Sequence, residues 1–125
     1  MTMRFLMMVK HAEKFSGPPP EELMEEIEKL TQKTPSAMIA SGGLAPTAAS
    51  AKVRVSGGKL DTIDGPFAEA KEVVGGFAIM EFNSKQEALE ATVTFMDLHR
   101  KYWPGWEGET EVRQIFGPED FAPQS

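Results

Sequence analysis

The chain has 125 residues, 41% hydrophobic and 26% charged, which is a single-domain length with ordinary globular composition and excludes a disordered or collagenous chain. A net charge of −6 without any basic run excludes the positive footprint that nucleic-acid phosphates require. The absence of cysteine excludes disulfides, thiolate nucleophiles and thiolate metal sites.

The opening Met1-Thr2-Met3-Arg4-Phe5-Leu6-Met7-Met8-Val9 has one basic residue and no small-residue cleavage site, and its apolar run is too short to span a bilayer. The expected location is the cytoplasm. Residues 3–10 alternate between Met3, Phe5, Met7, Val9 and Arg4, Leu6, Met8, Lys10. The predicted strand is therefore apolar on both faces in its middle. Helices can cover one face, and the other needs a different cover.

Pro18-Pro19-Pro20 leads into a predicted helix from Glu21 to Leu30, with Leu23, Met24, Ile27 and Leu30 at helical spacing and glutamates opposite. Thr34-Pro35 stops it, because a residue before proline is pushed out of the α region. Met38-Ile39-Ala40 reads as a short buried strand ending in the Gly42-Gly43-Leu44-Ala45-Pro46 break. Residues 52–56 and 59–63 flank Gly57-Gly58 as a two-residue hairpin, a register that sets Val55 opposite Leu60 and Arg54 opposite Asp61.

Asp64-Gly65-Pro66-Phe67 is a turn, followed by the charged Glu69, Lys71 and Glu72 and by Gly75-Gly76. A strand, Phe77 to Phe82, comes next. Ser84 with Glu87 is a capping-box signature for a helix reaching about His99, packed through Leu89, Val93 and Met96 with Ala88, Thr92 and Phe95 beside them. Trp103-Pro104-Gly105-Trp106 forms a loop before a last strand, Glu111 to Phe116. The expected organisation is one domain over 1–117 with a C-terminal tail over 118–125.

Without the hairpin, the order is βαββαβ: a ferredoxin-like α+β fold, an antiparallel sheet with both helices on one face and an inserted β-hairpin. Its bare face, together with the two-sided first strand, predicts a homodimer closed by a two-fold axis, a dimeric α/β barrel.

Candidate site residues follow from this frame. Asp64 is either a structural Asx-type turn residue or a carboxylate at a pocket rim, acting as general base or substrate anchor. His11, just past the first strand, is the better placed of the two histidines for acid–base work; neither has a companion at metal-ligand spacing, so no metal site is expected. On the last strand Glu111, Arg113 and Ile115 share a face. Arg113 is either the partner of Glu111 in an intrasheet ion pair or a guanidinium aimed into a cavity on the helix-free side. Arg54 is the other candidate anchor for an anionic group, and Phe67 and Glu69 complete the predicted binding set. Gly75-Gly76 precedes a strand rather than a helix, so it predicts a bulge and not a phosphate cradle. No cofactor is implied.

At Asp64-Gly65-Pro66-Phe67 with Glu69, Lys71-Glu72 and Gly76, the chain resembles the YCII-related family in its DGPF-domain branch. Met3-Arg4-Phe5 through Val9-Lys10, Val53-Arg54-Val55 to Lys59, and Glu111-Val112-Arg113 to Phe116 extend the resemblance over nearly the whole chain. It implies a ferredoxin-like fold, a dimer related to the dimeric α/β-barrel superfamily, and a cavity near the subunit interface. It also implies bacterial relatives mostly without assigned reactions, some encoded with or fused to extracytoplasmic-function sigma factors. Gly42 stands where many members have an acidic residue, and Ala70 where they have Thr; the catalytic His and Asp proposed for shorter members do not map onto His11 or Asp64. Two functional readings result. One is an isomerase- or lyase-like acid–base enzyme acting on a small anionic or polar molecule. The other is a non-catalytic dimeric module that binds a ligand or a sigma-factor partner.

Overall fold

The structure, a computed structural model, describes residues 2–12, 18–33, 37–67 and 72–117. The predicted helix stop at Thr34-Pro35, the candidate Glu69 with Lys71, and the tail 118–125 lie outside the described residues. The elements are β1 (Met3–His11), α1 (Glu21–Lys33), β2 (Met38–Gly43), β3 (Ala51–Ser56), β4 (Lys59–Asp64), β5 (Val73–Phe82), α2 (Lys85–Tyr102) and β6 (Gly108–Ile115), with a 3₁₀ turn at Thr47–Ala49. Four strands make one sheet in the order β2-β5-β1-β6, and β3 and β4 form a separate two-stranded sheet. All described pairings are antiparallel. Setting the hairpin aside leaves the ferredoxin-like βαββαβ arrangement.

Directly opposed residues in antiparallel strands share a face, so the register sorts every side chain. Phe5 lies across from Met80 and Gln114, and Met7 from Ala78 and Val112. Phe5, Met7 and Ala88 of α2 are buried together, with Met3, Ala78, Met80, Phe82 and Val112 packed around them. This is the helix-covered face. The opposite face carries Leu6 between Ile79 and Arg113, and Met8 between Phe77 and Glu111. Its row of half-buried apolar side chains is the two-sided character read from β1.

Helix α1 begins where Pro20 supplies its carbonyl to the Met24 amide at 3.2 Å. Its acidic first turn, Glu21 and Glu22, complements the helix dipole, and Leu23 is fully buried on its inner face. The Ser84 Oγ caps α2 by accepting from the Glu87 amide at 3.1 Å; the Glu87 carboxylate accepts from the Asn83 amide at 3.1 Å. The capping box is present, with its return bond one residue earlier than the usual pattern.

Three sequence expectations need correction. The packing stripe of α2 is turned: Ala88 and His99 are buried, while Leu89 is 38% and Val93 68% exposed. Bulky Phe5 and Met7 rise from the sheet, so the helix approaches closely only through a small residue such as Ala88. Strand β2 also runs on through Gly42 and Gly43, with an irregularity between Met38 and Ala40, instead of breaking at the glycines. A Cβ at Gly42 would stand 3.2 Å from the Phe77 ring, so the missing side chain makes room for that ring. Finally, β2 is exposed beyond the half-buried Met38 and is not a buried strand. Of the two alternatives for Arg113, the structure has the intrasheet ion pair: it meets Glu111 at 3.6 Å and is exposed.

The hairpin has the predicted register, Val55 opposite Leu60 and Arg54 opposite Asp61. Gly57 and Gly58 hold positive φ angles of 58° and 75°, the left-handed geometry that a tight two-residue loop requires. Its apolar face is uncovered: Val53, Val55 and Leu60 are 71%, 72% and 73% exposed. Among the described residues, no helix is long and apolar enough to cross a membrane.

Candidate functional site

The central turn docks onto the 3₁₀ turn that precedes the hairpin. The Gly65 amide donates to the Ser50 carbonyl at 2.8 Å, and the Phe67 amide to Thr47 Oγ1 at 3.4 Å. A Cβ at Gly65 would fall 1.6 Å from the Thr47 carbonyl oxygen, so only glycine permits this approach. The Gly65–Pro66 peptide is cis. The 3₁₀ turn is itself braced, with Ala49 N–H on the Pro46 carbonyl at 2.9 Å and Ser50 Oγ on the same carbonyl at 3.1 Å.

This docking walls a cleft of about 370 Å³. Its polar groups are Thr47, Ser50, Lys52 and Glu72; its apolar floor is Phe67 with Val73 and Val74 of β5. The Lys52 ammonium stands over the Phe67 ring, 4.1 Å from its centroid. A cation–π contact of this kind is worth about 0.5–1 kcal/mol at an exposed site, enough to bias a flexible lysine toward one position. The chemistry on offer is one positioned cation, a carboxylate, and two hydroxyls above an aromatic floor.

Of the predicted site residues, Phe67 lines the cleft. Asp64 is exposed at the end of β4, next to the docked Gly65. His11 lies across from Val73, a cleft residue, and its ring occupies the space beside Gly75: a Cβ there would be 2.2 Å from Nε2. Its Nδ1 is 2.9 Å from the Ala12 carbonyl. Gly75 is the extra residue of a β-bulge, since Val9 opposes Gly76 and Lys10 opposes Val74. Asp64 and His11 therefore flank the cleft without lining it. Arg54 and Arg113 are not brought there. Arg54 sits mid-hairpin opposite Asp61, and Arg113 is on β6, at the sheet edge opposite β2.

Sequence reasoning missed Thr47, Ser50 and Lys52. Lys52 had a signal in the hairpin alternation, which puts it on the face of Ile63, opposite to the face of Val53 and Val55. Thr47 and Ser50 had none, because their placement depends on a tertiary contact.

A second charged group lies on the open sheet face. Lys10 Nζ donates to Glu111 Oε1 at 2.6 Å. That hydrogen bond is the main reason the Glu111 carboxyl is held below its ordinary value and the Lys10 ammonium above its own. Among the described residues, no three His, Asp or Glu side chains cluster closely enough to hold a metal ion.

Among the described residues, His99 is the one polar side chain that is buried. Its ring packs against Phe95 at 4.6 Å and Trp106 at 4.8 Å, and its Nδ1 is 3.0 Å from the Phe95 carbonyl. Burial pushes its pKa below the ordinary 6.5, partly opposed by that hydrogen bond. With the folded pKa lowered, the unfolded chain binds the proton first, so stability falls as pH drops below about 6.5 until folded His99 itself titrates. We expect the melting temperature to decline between about pH 7.5 and pH 5, and His99→Gln to flatten that decline in the same window. Equal slopes for the two proteins would remove His99 as the cause.

The fold and its helix-free face define a ferredoxin-like α+β domain, and comparison with known proteins places it. The family model for the YCII-related domain matches residues 3–94, and the chain belongs to that family. An uncharacterized protein of Rhizobium meliloti (strain 1021) is 47% identical over 47 residues, which is 38% of this chain and 38% of that protein.

Proposed function

We propose that the protein is a cytoplasmic homodimer of the DGPF branch that binds a small anionic or polar organic molecule in the cleft beneath the central turn. The observation that carries this reading is the Lys52 ammonium fixed 4.1 Å above the Phe67 ring in a cleft that also contains Thr47, Ser50 and Glu72. A carboxylate or enolate in this cleft would pair with the Lys52 ammonium, whose position the Phe67 ring biases. Asp64 and His11 flank this position, and acid–base chemistry of the isomerase or lyase type is the reaction class they suit. The open sheet face, with Leu6, Met8, Phe77 and Ile79, is the dimer surface in this reading.

The test is a thermal-shift screen of small mono- and dicarboxylates. A ligand that binds only the folded protein stabilises it by about 2.7 kcal/mol at a hundred times its Kd. Wild-type protein is expected to respond, and Lys52→Met to bind the same compounds about tenfold more weakly. Identical shifts for the two proteins would place the ligand elsewhere.

One observation favours a second reading, a non-catalytic ligand-binding or regulatory module whose partner is an extracytoplasmic-function sigma factor. Neither Asp64 nor His11 lines the cleft. Turnover lost in Asp64→Asn or His11→Ala with ligand binding intact supports the enzyme; a cleft that binds with no turnover to lose supports the module.

A further inference from the structure

Lys52 and Glu72 line the same cleft, of about 370 Å³, from different parts of the fold. Lys52 belongs to β3 of the hairpin, and Glu72 directly precedes β5 of the four-stranded sheet. We propose that the cleft takes a zwitterionic ligand, a small amino carboxylate whose carboxylate meets Lys52 and whose ammonium meets Glu72. The inference rests on the ligand-binding reading above and narrows its chemical class.

The two charges share a cleft without neutralising each other. Among the described residues, neither side chain has an ion-pair partner. The Lys52 ammonium is engaged by the Phe67 ring, 4.1 Å from its centroid, a contact that biases its position and leaves its charge in place. A second cation senses Glu72. The Lys10 ammonium is held above its ordinary value chiefly by its hydrogen bond to Glu111, with a smaller contribution from the Glu72 charge. That hydrogen bond, 2.6 Å long, directs Lys10 at Glu111 and not at Glu72.

Such a cleft discriminates by charge pattern. A simple carboxylate gains a charge-assisted hydrogen bond at Lys52 but brings a second negative charge into the cleft of Glu72; a simple amine meets the reverse conflict at Lys52. A molecule carrying both charges satisfies both side chains and adds no net charge. Leu44, Val73 and Val74 also line the cleft, so a short hydrocarbon spacer between the two charges has apolar surface to rest on. A volume of about 370 Å³ is at the small end of ligand pockets, which suits an amino carboxylate of a few carbons. Lys52 and Glu72 are both exposed, so each pairing is weak by itself, and the selectivity comes from the two acting on one ligand.

The experiment titrates the full-length, isotope-labelled protein at constant ionic strength and follows its amide NMR shifts with matched pairs of compounds: glycine against acetate, β-alanine against propionate, γ-aminobutyrate against butyrate. We expect the amino carboxylate to bind about fivefold tighter than its matched acid at one chain length or more, with a Kd on the order of 1 mM. Glu72→Gln, a substitution at an exposed position, is expected to abolish that preference by weakening the amino carboxylate to the level of the plain acid, with circular dichroism confirming the fold. Lys52→Met is expected to weaken both members of a pair about tenfold. Equal affinities within every pair, or a preference that survives Glu72→Gln, would overturn the inference; plain acids that still bind and still depend on Lys52 would leave the carboxylate reading standing. No binding by any of the compounds, or binding that Lys52→Met leaves unchanged, would overturn both.

Discussion

Gly65→Ala is expected to lower stability by about 3 kcal/mol, roughly 10 °C in melting temperature for a domain of this size. The added carbon would fall 1.6 Å from the Thr47 carbonyl oxygen and 3.2 Å from that of Ser50. These are backbone atoms, so no rotamer change relieves the clash. Either the turn lifts off or the 3₁₀ turn shifts, and each breaks the 2.8 Å bond from Gly65 to Ser50. Because Phe67 and Thr47 both line the cleft, the variant should also lose the carboxylate response proposed for Lys52. Gly57→Ala is the control: its φ of 58° makes a side chain strained, yet no atom lies within 4 Å. That strain costs about 1–2 kcal/mol, confined to the hairpin loop, and leaves the cleft intact. Asp64→Asn should be close to neutral for stability, since Asp64 is exposed and its strand pairing with Ala51 is made by backbone. A melting temperature for Gly65→Ala within two degrees or so of wild type would mean that the turn adapts more readily than its contacts imply.

The central motif thus divides its labour in a way the sequence suggested only in part. Asp64-Gly65 reads as a turn from composition alone, and Gly65 does carry the structural constraint. What the turn packs against was invisible, because Thr47 and Ser50 are brought to it by the path of the chain after β2, and no periodicity encodes that path. The strands and their register were legible for the opposite reason. Alternation along β1 and the paired residues of the hairpin are local patterns with a fixed geometric meaning.

Helix α2 was legible in extent and cap but not in rotation. Leu89 and Val93 are the apolar residues that a hydrophobicity pattern selects, yet Ala88 and His99 are the ones that face inward. The choice was made by the bulk of Phe5 and Met7 beneath the helix, a property of the partner surface and not of the helix. The spacing of Phe95, His99 and Trp103, four residues apart each time, was a signal for the aromatic cluster. Its use needed the observation that Trp106 folds back onto the same rings.

Ile79→Glu is expected to convert the proposed dimer to a monomer. Ile79 sits between Leu6 and Ala40 near the middle of the helix-free face, with no cation directly across from it on either neighbouring strand. Arg4 is committed to Glu81 at 3.0 Å and Lys10 to Glu111 at 2.6 Å, so neither is poised to neutralise a new carboxylate. In a two-fold interface each substitution is present twice, and an unpaired charge buried without compensation costs about 3–5 kcal/mol. Two of them weaken association by about 10⁴-fold or more, enough to dissociate a nanomolar dimer at micromolar protein. In the monomer the same glutamate points to water, so the variant should stay folded and soluble by circular dichroism. Light scattering at micromolar concentration reads the outcome directly. A wild-type mass of one chain, or an Ile79→Glu mass of two, would show that the apolar face of β1 and β5 is not what joins the copies, and would leave Leu6, Met8 and Phe77 to be covered some other way.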